Sequence, residues 1–106
     1  MTQQAKQLIA QAKAEGWKRL DLGNCGLTDL KTQVPELFEL TDLEELILSS
    51  DWWENNNQDW WYSENNGEIN SLSELPLAMA QLKQLKVLIC GGHYNNKWTI
   101  SDYSVI

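Results

Sequence analysis

The sequence predicts an α/β solenoid fragment in which short parallel strands stack in register behind one N-terminal capping helix. Three observations carry this. An apolar stripe of helical spacing opens the chain. One pattern of apolar residues then recurs three times. Similar Leu-Pro segments connect the copies.

The helix is expected over residues 2–15. Ala5, Leu8, Ile9 and Ala12 fall on one face, with Gln and Lys on the other, so the segment is amphipathic with a period near 3.6. Thr2 suits the N-cap and Gly16 the residue just past the end. A helix this short is marginal alone and must pack on something.

After Gly16 the period changes. Trp17-x-x-Leu20-x-Leu22-x-x-Cys25-x-Leu27-x-x-Leu30 is the first copy of the pattern. The second is Leu43-x-x-Leu46-x-Leu48-x-x-Asp51-x-Trp53, and the third Leu85-x-x-Leu88-x-Cys90-x-x-His93. Val34-Pro35-Glu36-Leu37-Phe38-Glu39-Leu40 leads into the second copy, and Leu75-Pro76-Leu77-Ala78-Met79-Ala80-Gln81-Leu82 into the third. In this pattern the chain resembles the leucine-rich repeat, L-x-x-L-x-L-x-x-N/C-x-L, over at least residues 17–93. The resemblance implies one short strand per repeat, leucines inward and alternate residues outward, with strands about 4.8 Å apart. One repeat cannot bury its own core, so a terminal helix must cover the first strand. Residues 1–16 are therefore the expected cap and 17–106 about three repeats.

Leu20 and Leu46 are 26 residues apart, but Leu46 and Leu88 are 42 apart, beyond the family range of about 20–29. Asn70-x-Leu72-x-x-Leu75-Pro76 completes the second repeat, so the excess falls at 52–69. This stretch alternates aromatic blocks with Asn-rich turns and predicts an excursion in the form of a small hairpin. At the other end, residues 98–106 match the second half of a third repeat, with Ile100, Tyr103 and Ile106 at inward spacings. No polar closing helix follows, so an uncapped apolar edge is expected. Such an edge meets further repeats in a longer protein or another copy of the chain, a possible homo-oligomer.

Composition narrows the partners. The 106 residues carry a formal charge of −7, with no basic run, which argues against nucleic acid and anionic membranes. There is no apolar stretch of membrane-spanning length and no signal-peptide pattern. Two well-separated cysteines, Cys25 and Cys90, sit at apolar positions and read as buried free thiols of a reducing, cytoplasmic compartment.

The outward strand positions are Arg19, Asp21 and Gly23, then Glu45, Ile47 and Ser49, then Val87, Ile89 and Gly91. The resemblance makes this concave face the expected surface for a protein or peptide partner, through Arg19, Asp21, Glu45, Ile47, Ser49, Val87 and Ile89. The same positions suit simple solvation, or packing under the insertion. Four of the six tryptophans form the pairs Trp52-Trp53 and Trp60-Trp61. Trp52, Trp60, Trp61 and Tyr62 have the residue types of binding hot spots, so the insertion is a second expected partner site. It is equally explained by tryptophans that fold back onto the repeats and order an 18-residue loop.

Cys25, Asp51 and His93 share the ninth position of their repeats and should form a column. Together they suggest a triad or a metal site. The resemblance gives that column a backbone-bonding role instead, and Cys25 and His93 would stand two strand spacings apart, roughly 10 Å, too far to share a proton. Cys90-x-x-His93 is half a zinc site at most. No phosphate loop, G-x-S-x-G or cofactor signature is present. No enzyme activity, metal or cofactor is expected. The opening helix followed by Leu20-x-Leu22-x-x-x-x-Leu27-Thr28-x-Leu30 looks like the start of repeat regions in prokaryotic multidomain signalling or defence proteins. That resemblance implies a sensing or regulatory module beside a larger domain.

Overall fold

The computed structural model of the chain describes residues 3–54, 59–72, 76–90 and 97–99. In chain order these form helix α1 (Gln3–Glu15), strand β1 (Arg19–Asp21), the single turn α2 (Leu30–Gln33) and a 3-10 turn at Pro35–Glu39. Strands β2 (Glu45–Ile47), β3 (Asp51–Glu54) and β4 (Asp59–Tyr62) follow, then a second 3-10 turn at Leu77–Gln81 and strands β5 (Val87–Ile89) and β6 (Lys97–Thr99). The main sheet has the order β1-β2-β5-β6; β3 and β4 form a separate two-stranded ribbon.

Helix α1 buries Ala5, Ile9 and Ala12, with Leu8 half-buried beside them. It ends where Gly16 turns to φ +69°. That conformation brings the Trp17 N–H to the Ala12 carbonyl at 3.0 Å, the six-to-one bond that closes a helix C-terminus. The buried stripe packs on β1 and on the 3-10 turn at Pro35–Glu39. Thr2, the expected N-cap, lies outside the described residues.

Three parallel strands form the centre, in the register Leu20↔Leu46↔Leu88. Leu22, Leu48 and Cys90 continue the same inward face, and Leu43 and Leu85 precede it; all belong to one core. Each strand is three residues long, but the ladder extends beyond it in the same way at both junctions. The Lys18 carbonyl accepts from Glu44 and Glu45 N–H, and the Glu44 carbonyl from Lys86 and Val87 N–H. At the far end, Leu22 N–H donates to Ile47 at 2.8 Å and Leu48 N–H to Ile89 at 2.7 Å. The connectors match as well. Leu37, Leu40 and Leu43 each donate three residues back, and Met79, Leu82 and Leu85 do the same.

Asn70 joins the strand ends. Its side chain is buried. Its Nδ2 donates to the carbonyls of Leu22 and Leu48, both at 2.9 Å. Its Oδ1 accepts from Cys25 N–H at 3.2 Å and Leu27 N–H at 2.8 Å. Two donors and two lone pairs are all engaged, which is the full capacity of the amide. The bonded column expected of Cys25, Asp51 and His93 is therefore different. Asp51 begins β3 opposite Tyr62, and its buried Oδ1 makes no hydrogen bond among the described residues. Asn70, nineteen residues later, takes the place between the first two strands. His93 lies outside the described residues.

The far edge also differs from expectation. β6 does not extend the parallel stack. It turns back antiparallel along β5, with Val87↔Thr99, Leu88↔Trp98 and Ile89↔Lys97. Residues 90–96, seven in all, separate the two strands. A parallel return needs a crossover of a dozen residues or more, so only the antiparallel return is open to this chain. The edge of β5 that was expected to be uncapped is thus paired. Ile100, Tyr103 and Ile106 lie outside the described residues.

Removal of the Asn70 amide strands two carbonyls and two N–H groups in a buried site, at about 1–3 kcal/mol for each group left without a partner. Asn70→Ala is expected to lower the unfolding free energy by at least about 3 kcal/mol in urea titration, and Asp51→Ala by clearly less.

Candidate functional site

The candidate site forms where the β3–β4 hairpin meets β1. Tryptophan and tyrosine favour extended, half-exposed backbone, and the two aromatic blocks pair as Trp52↔Trp61 and Trp53↔Trp60. The ladder closes at its base, where Ser63 N–H donates to the Ser50 carbonyl at 2.9 Å.

Residues 63–65 fasten the hairpin to the end of β1. Ser63 Oγ donates to Asp21 Oδ1 at 2.9 Å, and Glu64 N–H to Asp21 Oδ2 at 3.1 Å. Gly23 N–H also reaches Asp21 Oδ1, at 2.9 Å. Asn65, itself buried, donates through Nδ2 to the carbonyls of Asp21 at 3.0 Å and Gly23 at 2.9 Å. Its Oδ1 accepts from Gln4 Nε2 at 3.0 Å, which ties α1 into the same junction. The approach is close: a Cβ on Gly23 would collide with the Ser49 carbonyl and the Ser63 side chain. Gly23 is required there because the Ser49 backbone and the Ser63 side chain meet over it.

The expected outward surface is reduced by this packing. Ile47 and Ile89 are fully buried and form a small cluster of their own with half-buried Val87. Ser49 is fully buried too, and its hydroxyl makes no hydrogen bond among the described residues. These three, Ile47, Ser49 and Ile89, offer no surface to a partner. The physical reason is that alternation turns these side chains away from the leucine core without keeping them wet: Ile47 and Ile89 pair on adjacent strands and shield each other, and burial this complete needs cover from other elements as well. Arg19 remains exposed, with Nε 3.0 Å from Glu45 Oε2, and Asp21 and Glu45 are half-buried. Gly91 lies outside the described residues.

Of the insertion residues, Trp60 is 40%, Trp61 45% and Tyr62 66% exposed, so three large rings of one strand stand in solvent. Trp52 is paired with Trp61 across the ribbon. Arg19, Asp21, Trp61, Tyr62 and Glu64 line a recess of about 100 Å³. It brings together residues that the sequence placed in two separate sites. Glu64, which completes it, carries no sequence signal of its own, nor do Ser63 and Asn65. Asn70 does, since Asn70-x-Leu72 repeats the second half of the recurring pattern.

The cysteine chemistry is quiet. Cys25 and Cys90 are buried and not joined in a disulfide. Burial, and then the negative charge of Asp21, push the Cys25 thiol up to about 11. A nucleophile or metal ligand needs the thiolate, which this environment disfavours. Among the described residues, no three His, Cys, Asp or Glu side chains are grouped to hold a metal ion. No helix among them is long and apolar enough to cross a membrane. Comparison of the chain with protein-family models, with curated proteins and with solved structures finds no match.

The Cys25 shift has a pH consequence. The unfolded thiol ionises near 9 and the folded one near 11, so this group's contribution to stability is intact below pH 9 and is lost as pH rises toward 11. Urea midpoints of the wild-type chain should fall across that window, and Cys25→Ala should flatten this part of the slope. Thiol-specific labelling of the folded chain at pH 7 should be much slower than in urea.

Proposed function

We propose that the chain is a leucine-rich-repeat module that recognises a protein or peptide through β1 and the hairpin beside it. The single observation that carries this is the exposed aromatic strand Trp60, Trp61 and Tyr62, fastened by hydrogen bonds next to Arg19 and Asp21. Monomeric proteins seldom leave several large rings side by side in water, and rigid aromatics are what binding hot spots are made of. Hydrogen bonds at the stem hold the strand in place in advance, which lowers the ordering cost of binding.

The repeat assignment rests on three recurrences. The inward leucines align at the same register across three strands. The ladder extensions and the connector bonds recur from copy to copy. Asn70 fulfils the backbone-bonding role that the repeat pattern reserves for Asn. In this proposal α1 is the cap on the first strand, and the module acts in the cytoplasm as the sensing or regulatory part of a prokaryotic multidomain signalling or defence protein. In this proposal it acts by binding rather than turnover. The alternative, a structural module that self-assembles through an open edge of β5, is less favoured, because β6 occupies that edge.

Selection of a random peptide display library against the immobilised chain tests the proposal. Enriched peptides should bind the wild type, and Trp61→Ser with Tyr62→Ser should weaken them at least about tenfold while moving the unfolding free energy by no more than about 1 kcal/mol, as is usual for surface substitutions. A library that yields no peptide, or peptides indifferent to these substitutions, would refute the hairpin face as a binding site.

A further inference from the structure

The recess between β1 and the hairpin has a chemistry specific enough to name its occupant. Its walls are two aromatic side chains, Trp61 and Tyr62, and three charged ones, Arg19, Asp21 and Glu64. The Arg19 guanidinium is already engaged by Glu45, Nε to Oε2 at 3.0 Å. The lining thus carries two carboxylates, Asp21 and Glu64, against one guanidinium that Glu45 already pairs. Asp21 accepts from Gly23 N–H, Ser63 Oγ and Glu64 N–H, which hold its carboxylate at the wall of the recess. The volume, about 100 Å³, is well below the roughly 300 Å³ at which cofactor and drug-sized sites begin. It matches the head of one side chain.

We propose that this recess receives the cationic head of an arginine or lysine carried on an extended segment of a partner protein. The aromatic rings present π faces or edges to the cation and cover its alkyl stem, while Asp21 and Glu64 supply the opposite charge. The rest of the partner segment lies along the exposed face of β4, over Trp60 and Tyr62. Charge complementarity extends beyond the recess, since the chain as a whole carries −7 and attracts a basic segment over a distance. An acidic segment is repelled by the same field, and a neutral one gains only the aromatic contact. This specificity rests on the binding face proposed above and adds the partner's charge to it.

Four blocked decapeptides in a Gly-Ser background, carrying two Arg, two Lys, two Gln or two Glu, test the assignment when titrated into the full chain at low salt. The readout is the indole N–H signal of Trp61 in two-dimensional NMR. The Arg and Lys peptides should move that signal with affinities at least roughly fivefold above the Gln peptide, the increment expected of an exposed cation–π contact reinforced by charge. The Glu peptide should leave it in place. Glu64→Gln should weaken the Arg peptide roughly threefold or more, and 0.5 M salt should do the same. Glu64 is exposed and its carboxylate holds none of the stem bonds described above, so this variant should keep the wild-type melting curve. Equal binding of the Arg, Gln and Glu peptides at Trp61 would overturn the charge selectivity and leave aromatic recognition standing. A Trp61 signal that no peptide moves would overturn the cationic recess itself, and peptides enriched from the display library would then show whether the face binds in another way.

Discussion

The buried amide of Asn70 is the constraint on which the rest of the structure depends. Strands of three residues make few ladder bonds, and the chain must leave each strand through a turn whose backbone groups are cut off from water. Asn70 satisfies four of those groups from two neighbouring strands at once. Its neighbours continue the attachment: Gly26 N–H donates to Glu68 at 2.9 Å and Ser71 N–H to Leu27 at 2.8 Å. Residues 68–71 therefore run beside the outgoing segment of the first copy, and the leucines of β1 and β2 are held over one core.

From this follows the placement of the hairpin. The chain leaves the stack after Ser50 and must be back in it at Glu68, so both ends of the excursion are fixed. Closing such a loop costs entropy that grows only slowly with its length, and the ribbon offsets part of it through its own pairing. The bonds from residues 63–65 to Asp21 and Gly23 then settle where the return strand points. Surface ion pairs contribute little by comparison. Lys13 and Glu39 are both exposed at 2.7 Å, a geometry worth about 1 kcal/mol at most. Position here comes from the stem hydrogen bonds and from Gly23 and Gly67, whose missing side chains let the returning segment approach the end of the first strand. The consequence is an aromatic strand whose position is set by its stem.

Much of the centre was legible because period and register are written in the positions of Leu20, Leu46 and Leu88, and because Gly16 ends a helix in a manner its freedom at positive φ explains. The excess length between the second and third copies likewise pointed to an excursion. Asn70 is legible in part. Asn70-x-Leu72 resumes the second repeat after the inserted 52–69, yet Asp51 stands three positions after Leu48, where the pattern puts its ninth residue; the folded chain gives the bonding role to Asn70. The outward positions misled for a different reason. Alternation assigns Ile47 and Ile89 to a face but does not say whether that face is wet, and burial depends on neighbours from other elements. Residue types alone place 98–106 in a continuing repeat, whereas the shortness of the link from β5 decides the direction of β6. The bonds of Ser63 and Asn65 had no signal at all, since a serine or asparagine in an Asn-rich loop looks the same whether or not it meets a strand end.

Amide hydrogen exchange at Cys25 and Leu27, followed by NMR, tests the central claim most directly. Both N–H groups lie in an irregular turn outside any strand, and the Asn70 carbonyl oxygen is their acceptor. If the amide binds the strand ends as described, these two should exchange as slowly as the ladder amides of Leu46 and Leu88, through opening of the whole domain. Exchange at the rate of an exposed loop would contradict the account, because the strand ends would then be held by something other than Asn70.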